Sequence, residues 1–311
     1  RDDSENFISK ATAWQKRHGG KAPYRKMVFG DDYDELGYYA DWDVVNIMFN
    51  KAAPSMNHTF SVQGTSGKTN YYMSAGYSQD QSVLNFNPDK VKKYNATVNV
   101  STQATDWLMF GARVNYSDKT YSYPYSRGAN SYQYLWRWGS FFGPYGWYEA
   151  EDGKHYDART LIGARMTGAP SFTRTSNLRL GGFMRIDIVK GLSFNADYTF
   201  TNKVVRYKGP GFPSYVLNTW GVNPVVTNIM STTWMETSRD FLYNHVANAY
   251  FNYKLAFAGN HHLNLMAGAN LDNSEYEYLY YERHDLMDIN MPELALADSD
   301  YSYSHTHSHW G

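Results

Sequence analysis

The sequence predicts an all-β protein, a section of an antiparallel transmembrane β-barrel, and three observations support this prediction. Apolar and polar side chains alternate through eight segments, which is the period of a β-strand. Several of these segments reach the ~9–11 residues that a tilted strand needs to cross a bilayer. The connections between the segments alternate between short and long, as they do in outer-membrane barrels.

The first pair of alternating segments is expected near residues 58–64 and 69–78. Phe60 lies on the apolar face of the first segment and Met73 on that of the second. A short turn joins the two segments, so the strands are expected to pair antiparallel. The preceding residues, 1–57, are expected to form an irregular segment that leads into the barrel.

The second pair, near residues 93–103 and 107–119, gives the clearest hairpin in the sequence. Val98 and Phe110 belong to its apolar face, whereas Arg113 belongs to its polar face. Two further hairpins follow the same pattern. Their strands are expected near residues 175–188, 192–206, 240–256 and 261–281, and residues 283–311 are expected to be loop that begins another strand.

The connections define two ends of the predicted sheet. The short turns lie near Thr65, Thr105, Lys190 and Gly259. The long connections span residues 79–91, 121–173 and 208–238, and a fourth starts at residue 283. Outer-membrane barrels have short periplasmic turns and long extracellular loops, so this arrangement also predicts an orientation.

Charged residues inside the strands are expected to face a polar lumen, because a charge facing lipid is strongly unfavourable. These residues are Arg113, Arg179, Arg185, Asp187, Asp197 and Lys254.

The composition restricts the function classes. The chain has 311 residues, a net charge of −1 and no cysteine, which argues against nucleic acid as a partner and against thiolate chemistry. No apolar run approaches the ~18 residues of a membrane helix. The mean hydropathy of −0.61 is compatible with a barrel, because alternating strands have a weak apolar signal. Aromatic residues make up 17%, which suits either membrane-interface girdles or sugar-binding surfaces.

Two stretches carry a resemblance to a known family. The run NHTFSVQGTSGKTNYYMSAGYSQDQSVL, from Asn57, and the run TDWLMFGARVNYS, from Thr105, resemble sequences of the SusC/RagA-type TonB-dependent transporters of Bacteroidota. Asp41-Trp42 and Ala53-Pro54 are similar to shorter elements of the same family. The similarity extends, with gaps in the loops, from about residue 41 to residue 311.

The resemblance implies a barrel of roughly 22 strands, of which this chain holds about eight. The family's plug domain and TonB box have no counterpart in the sequence, so the chain is expected to be an internal section of a larger protein. The implied location is the outer membrane, crossed many times. The implied function is uptake of a glycan or peptide together with a SusD-like surface lipoprotein, powered by a TonB complex through parts outside this chain.

Two other functions are compatible with the composition: a soluble all-β carbohydrate-binding or adhesin module, and a passive porin-type barrel. The barrel hypotheses require one continuous outer face that is not covered by protein. A second sheet on that face would favour the soluble module. The residues expected on it are Val98, Val100, Phe110, Val114, Leu180, Ile186 and Phe194.

The candidate substrate-binding residues lie in the long connection, within residues 131–148. Aromatic rings there can stack on sugar faces or hold a peptide, although part of the segment has helical spacing and can instead pack a loop helix. No enzyme motif was found, and the chain is predicted not to be an enzyme. The candidates are Tyr132, Trp136, Trp138, Phe142, Trp147 and Tyr148.

No cofactor is predicted, although three patterns resemble ion or nucleotide sites. The acidic residues Asp31, Asp32 and Asp34 can gather a structural Ca²⁺, but their spacing also suits a solvated loop. The histidines at 305, 307 and 309 would share one face of a strand. They could bind Zn²⁺ or Cu²⁺ there, or they could be ordinary polar surface residues. GTSGKT, residues 64–69, lacks the first glycine of a phosphate loop and is interpreted as a hairpin turn.

Overall fold

The computed structural model shows an all-β chain built on one large open sheet. The residues that it describes are 24–28, 34–38, 49–85, 89–124, 156–157, 170–211, 215–218, 225–228, 233–257, 259, 261–288 and 290–311. Its strands are β1 (Tyr24–Val28), β2 (Asp34–Tyr38), β3 (Ser55–Ser66), β4 (Thr69–Asp80), β5 (Lys90–Gln103), β6 (Leu108–Pro124), β7 (Tyr156–Asp157), β8 (Pro170–Val189), β9 (Leu192–Gly211), β10 (Tyr215–Asn218), β11 (Val225–Asn228), β12 (Trp234–Phe257), β13 (His261–His284) and β14 (Ser302–Trp310).

Nine strands form the large sheet in the order β14-β13-β12-β9-β8-β6-β5-β4-β3, and every neighbouring pair is antiparallel. Strands that follow one another in the large sheet are therefore also neighbours in space, as in a meander. The two end strands do not pair with each other, so the sheet is open, as expected for a section of a barrel.

Two small sheets accompany the large one. β1 pairs with β2, and β10 pairs with both β11 and β7. The only helical element among the described residues is a single 3₁₀ turn, Leu294–Leu296. Within the same residues, no helix has the length and apolar content to cross a membrane.

The short turns require glycine at their tightest points. Gly67, Gly191 and Gly259 have φ angles of 59°, 87° and 74°, a left-handed conformation that glycine adopts at no steric cost. These turns lie at one end of the large sheet, which we call the short-turn end. The long connections, from β4 to β5, β6 to β8, β9 to β12 and β13 to β14, lie at the opposite, long-connection end.

The structure differs from the sequence prediction in two places. The segment 1–57 is not wholly irregular, because β1 and β2 pair as a small antiparallel sheet and β3 starts at Ser55. The large sheet has nine strands rather than eight. The ninth, β14, lies within residues 283–311, where a further strand was expected to begin.

Candidate functional site

The large sheet has one apolar face. The register places Met73, Val98, Val114 and Leu180 directly opposite one another on four adjacent strands, so their side chains point the same way. This apolar face contains the residues predicted for an outer surface: Val98, Val100, Phe110, Val114, Leu180, Ile186 and Phe194.

Large side chains on the apolar face are exposed. Phe110 is 48% exposed, Leu180 40% and Phe251 49%, although all three lie on strands that are paired on both sides. A soluble sandwich would bury such residues under a second sheet. The exposure therefore favours a surface that contacts lipid.

The opposite, polar face is lined by amides, hydroxyls and charges that bond to one another across strands. The Asn248 amide donates to Asp197 Oδ2 at 2.9 Å, and the Asn270 amide donates to Asn248 Oδ1 at 2.7 Å. The Arg113 guanidinium lies 4.5 Å from the centre of the Phe183 ring, a cation–π contact. These contacts join β6 to β8, and β9 to β12 and β13, across the polar face.

A cluster of tyrosines and glutamates occupies the polar face near the long-connection end; we call it the Tyr–Glu cluster. The Tyr207 hydroxyl donates to Glu236 Oε1 at 2.7 Å. The Tyr280 hydroxyl lies 3.0 Å from Glu236 Oε2 and 2.7 Å from Glu282 Oε2. His284 Nε2 lies 2.9 Å from Glu282 Oε1. Three strands thus bring two carboxylates and two phenols together.

The Tyr–Glu cluster is electrostatically acidic. Burial, reinforced by the hydrogen bond to Glu236, raises the pKa of Tyr207 above its usual range. Burial and the hydrogen bond to Glu282 raise the pKa of Tyr280 in the same way. Both phenols therefore stay neutral, and each donates its one O–H to a carboxylate of the cluster. Ammonium, guanidinium and hydroxyl groups are the complementary ligand chemistry.

Comparison with solved structures identifies the fold. One structure of the RagAB peptide transporter matches 98% of this chain with a TM-score of 0.66 and 16% sequence identity. The RagAB peptide importer in the 'closed-closed' state matches 90% with a TM-score of 0.67 and 17% identity. The 'open-open' state matches 98% with a TM-score of 0.61 and 16% identity.

The chain has the fold of a section of the RagAB transporter barrel. It covers 33%, 31% and 32% of the three RagAB chains, so it spans about a third of their length. No protein-family model matches the chain, and no curated protein matches it. The barrel fold that the resemblance to SusC/RagA-type transporters implies is therefore confirmed by the RagAB structures.

Most of the predicted site residues lie outside the described part of this RagAB-like chain. This holds for all six candidate aromatic residues, from Tyr132 to Tyr148, and for Asp31 and Asp32. Asp34 is described only as the first backbone position of β2. These candidates for substrate and calcium binding stay predictions.

The three alternate histidines do share one face of β14, as predicted. His305 Nε2 lies 3.4 Å from Glu277, and His307 Nε2 lies 3.0 Å from Glu275. No group of three metal-ligating side chains is gathered within the described residues. The GTSGKT sequence forms the tight turn between β3 and β4, as interpreted from the sequence.

The Tyr–Glu cluster was not predicted from the sequence. Glu236 fell in a segment expected to be loop, and Glu282 fell just beyond the predicted end of its strand. A signal was present, because tyrosines at 276, 278 and 280 continue the period of two beyond the apolar part of β13.

Proposed function

We propose that this chain is a section of a SusC/RagA-type, TonB-dependent outer-membrane transporter that takes up peptides. The observation that carries the proposal is the two-faced sheet: its apolar face is exposed, its polar face is densely hydrogen-bonded, and its fold is shared with RagAB chains. In this arrangement the apolar face contacts lipid and the polar face lines the lumen.

The strand lengths suggest how the sheet sits in the membrane. β12 and β13 each have 24 residues, more than twice the ~9–11 residues that a tilted strand needs to cross a bilayer. With the short turns at the periplasmic side, the long-connection end projects beyond the outer surface. Tyr94 and Tyr116, on the apolar face, then lie towards the outer interface, where amphipathic rings are favoured.

The projecting part of the lumen contains the Tyr–Glu cluster, which we propose contacts the substrate as it enters. Its carboxylates attract the ammonium and guanidinium groups of peptides, and its phenols hold those carboxylates in place through hydrogen bonds. A glycan is the alternative substrate. It is favoured by the aromatic residues within 131–148, which suit stacking on sugar rings.

The remaining parts of the proposal concern the assembled transporter. A SusD-like surface lipoprotein would cover the long-connection end, and a TonB complex would supply energy through parts outside this chain. The two-component RagAB transporter, which shares the fold, supports a lipoprotein partner. The proposed location is the bacterial outer membrane, crossed by each strand of the large sheet.

The test is uptake of fluorescent oligopeptides by cells that carry the whole transporter. We expect Glu236→Gln with Glu282→Gln to reduce uptake of lysine-containing peptides by about tenfold, since two charged hydrogen-bond acceptors are lost. The matched control is Glu275→Gln with Glu277→Gln, which removes two carboxylates from the other face of β13. Uptake in the control should be unchanged.

Three outcomes would contradict the proposal. Equal loss in both double variants would show that the carboxylates act through general charge. Uptake that persists in cells lacking TonB would indicate a passive porin. Uptake of neutral oligosaccharides instead of peptides would favour the glycan alternative.

A further inference from the structure

A row of cations crosses the apolar face of the large sheet. Lys92 on β5 lies opposite Thr120 on β6, which lies opposite Arg174 on β8. Arg174 lies opposite Arg206 on β9, and Arg206 lies opposite Arg239 on β12. We call Arg174, Arg206 and Arg239 the arginine row, since they occupy directly opposed positions on three adjacent strands.

The arginine row is electrostatically unfavourable by itself. Adjacent strands lie about 4.8 Å apart, and like charges directly opposite each other destabilise a sheet. Arg174 is compensated, because its Nε lies 2.9 Å from Asp118 Oδ2. Within the described part of the chain, the structure shows no ion pair or hydrogen bond for the side chains of Arg206 and Arg239, and both residues are exposed. The row thus presents uncompensated guanidinium groups.

The arginine row lies at the edge of the apolar band. Val204 and Phe241 occupy the same face one side-chain position closer to the short-turn end than Arg206 and Arg239. On β9 and β12 these apolar residues are followed directly by cations on the same face, whereas on β6 and β8 Asp118 and Ser176 precede the row. In a membrane protein this order, apolar side chains followed by cations, marks the level of the lipid headgroups and the layer above them.

We propose that the arginine row binds phosphate groups of lipopolysaccharide, the phosphorylated glycolipid of the outer leaflet. This inference rests on the proposed function, because it requires the apolar face to contact the outer membrane. Guanidinium groups bind phosphate through paired, charge-assisted hydrogen bonds, and two free arginines on adjacent strands can hold one phosphate between them. A bound phosphate would relieve the repulsion along the row.

The experiment measures lipopolysaccharide binding to the whole transporter in detergent micelles. We expect Arg206→Gln with Arg239→Gln to weaken binding by about tenfold or more, because two charged hydrogen-bond donors are lost. The matched control is Lys93→Gln with Lys119→Gln, which removes two exposed cations from directly opposed positions on the other face. Binding in the control should be unchanged.

A second variant acts in the opposite direction. Asp118→Asn removes the carboxylate that pairs with Arg174 and so frees a third guanidinium. It should strengthen lipopolysaccharide binding several-fold, and a change in this direction cannot result from misfolding. Enzymatically dephosphorylated lipopolysaccharide should bind the unaltered protein about as weakly as intact lipopolysaccharide binds the Arg206/Arg239 variant.

Several results would overturn the inference. Equal lipopolysaccharide binding by the arginine variant and the unaltered protein would show that the arginine row is not the binding site. Displacement of lipopolysaccharide by millimolar inorganic phosphate would assign the row to free phosphate. Loss of lipoprotein partner binding in the arginine variant, with lipopolysaccharide binding intact, would assign it to a protein partner. Peptide uptake by the same variants separates the two proposals. If lipopolysaccharide binding is unchanged in the arginine variant and peptide uptake is normal, the glycolipid site is refuted and the transport function is not.

Discussion

Substitution of Val100 by arginine is expected to destabilise the protein strongly, whereas the same change at Ser101 is not. The two residues are adjacent on β5 and point to opposite faces. Val100 belongs to the apolar face, opposite Ala112. Ser101 belongs to the polar face and borders a depression of about 560 Å³ whose lining includes Asn70 and Asn99. An arginine at 101 therefore has room and polar neighbours.

The expected magnitude follows from the depth of Val100 in the membrane. It lies five residues before Thr105, the centre of its short turn. At ~3.4 Å per residue and ~45° of tilt, that places Val100 about 12 Å from the turn, near the middle of an apolar band of ~25 Å. An arginine facing lipid at that depth costs about 2–4 kcal/mol, whereas one facing the lumen costs under about 1 kcal/mol.

The assay is guanidinium-induced unfolding of the whole transporter from phospholipid vesicles, followed by tryptophan fluorescence. The Val100→Arg variant should lose about 2–4 kcal/mol of unfolding free energy, because its arginine faces lipid near the midplane. The Ser101→Arg variant should stay close to the unaltered protein. Equal destabilisation of both variants, or a larger effect at Ser101, would refute the assignment of the two faces.

Two further stability predictions use the same unfolding measurement. The Gly191→Ala substitution should lower the free energy of unfolding more than Gly67→Ala does. Both glycines have a positive φ, which is unfavourable for alanine by about 1 kcal/mol. Only at position 191 would the added Cβ also meet a backbone carbonyl oxygen, that of Lys254. Equal costs at the two turns would contradict that contact. The Phe183→Leu substitution should lower the free energy of unfolding by about 0.5–1 kcal/mol, because it removes the cation–π contact to Arg113. No loss, or the same loss when Arg113 is already alanine, would show that the contact contributes nothing.

Much of the fold could be predicted because apolar alternation and turn length are local signals. Val98 and Phe110 identified the apolar face, and Arg113 identified the polar face, before any pairing was known. Short turns fix antiparallel neighbours, and the order of the large sheet then follows the chain. The orientation of the sheet follows from the same turns.

The candidate site could not be predicted in the same way. The Tyr–Glu cluster depends on the register among β9, β12 and β13, which sets which side chains meet across strands. Tyr207 and Glu236 are far apart in sequence and meet only because β9 and β12 pair over twenty positions. The arginine row is a stronger case, since its members lie on three strands and share no local motif.

The distribution of buried apolar residues gives independent support for the membrane boundary. Leu84 and Met235 are 1% and 2% exposed, and both lie at the long-connection end. Met235 packs with Leu286 and Ala297 into a small conventional core. Nearer the short-turn end, Leu265 is 53% exposed on the apolar face.

Burial under protein is needed only where water is the solvent, because lipid tails solvate an apolar side chain as well as a protein core does. Leu84 and Met235, at the long-connection end, are covered by protein, whereas Phe110 and Leu180, in the middle of the sheet, are exposed. In the proposed arrangement the solvent changes from lipid to water along the strands. The arginine row lies between these two regimes, which is where a protein surface meets charged headgroups.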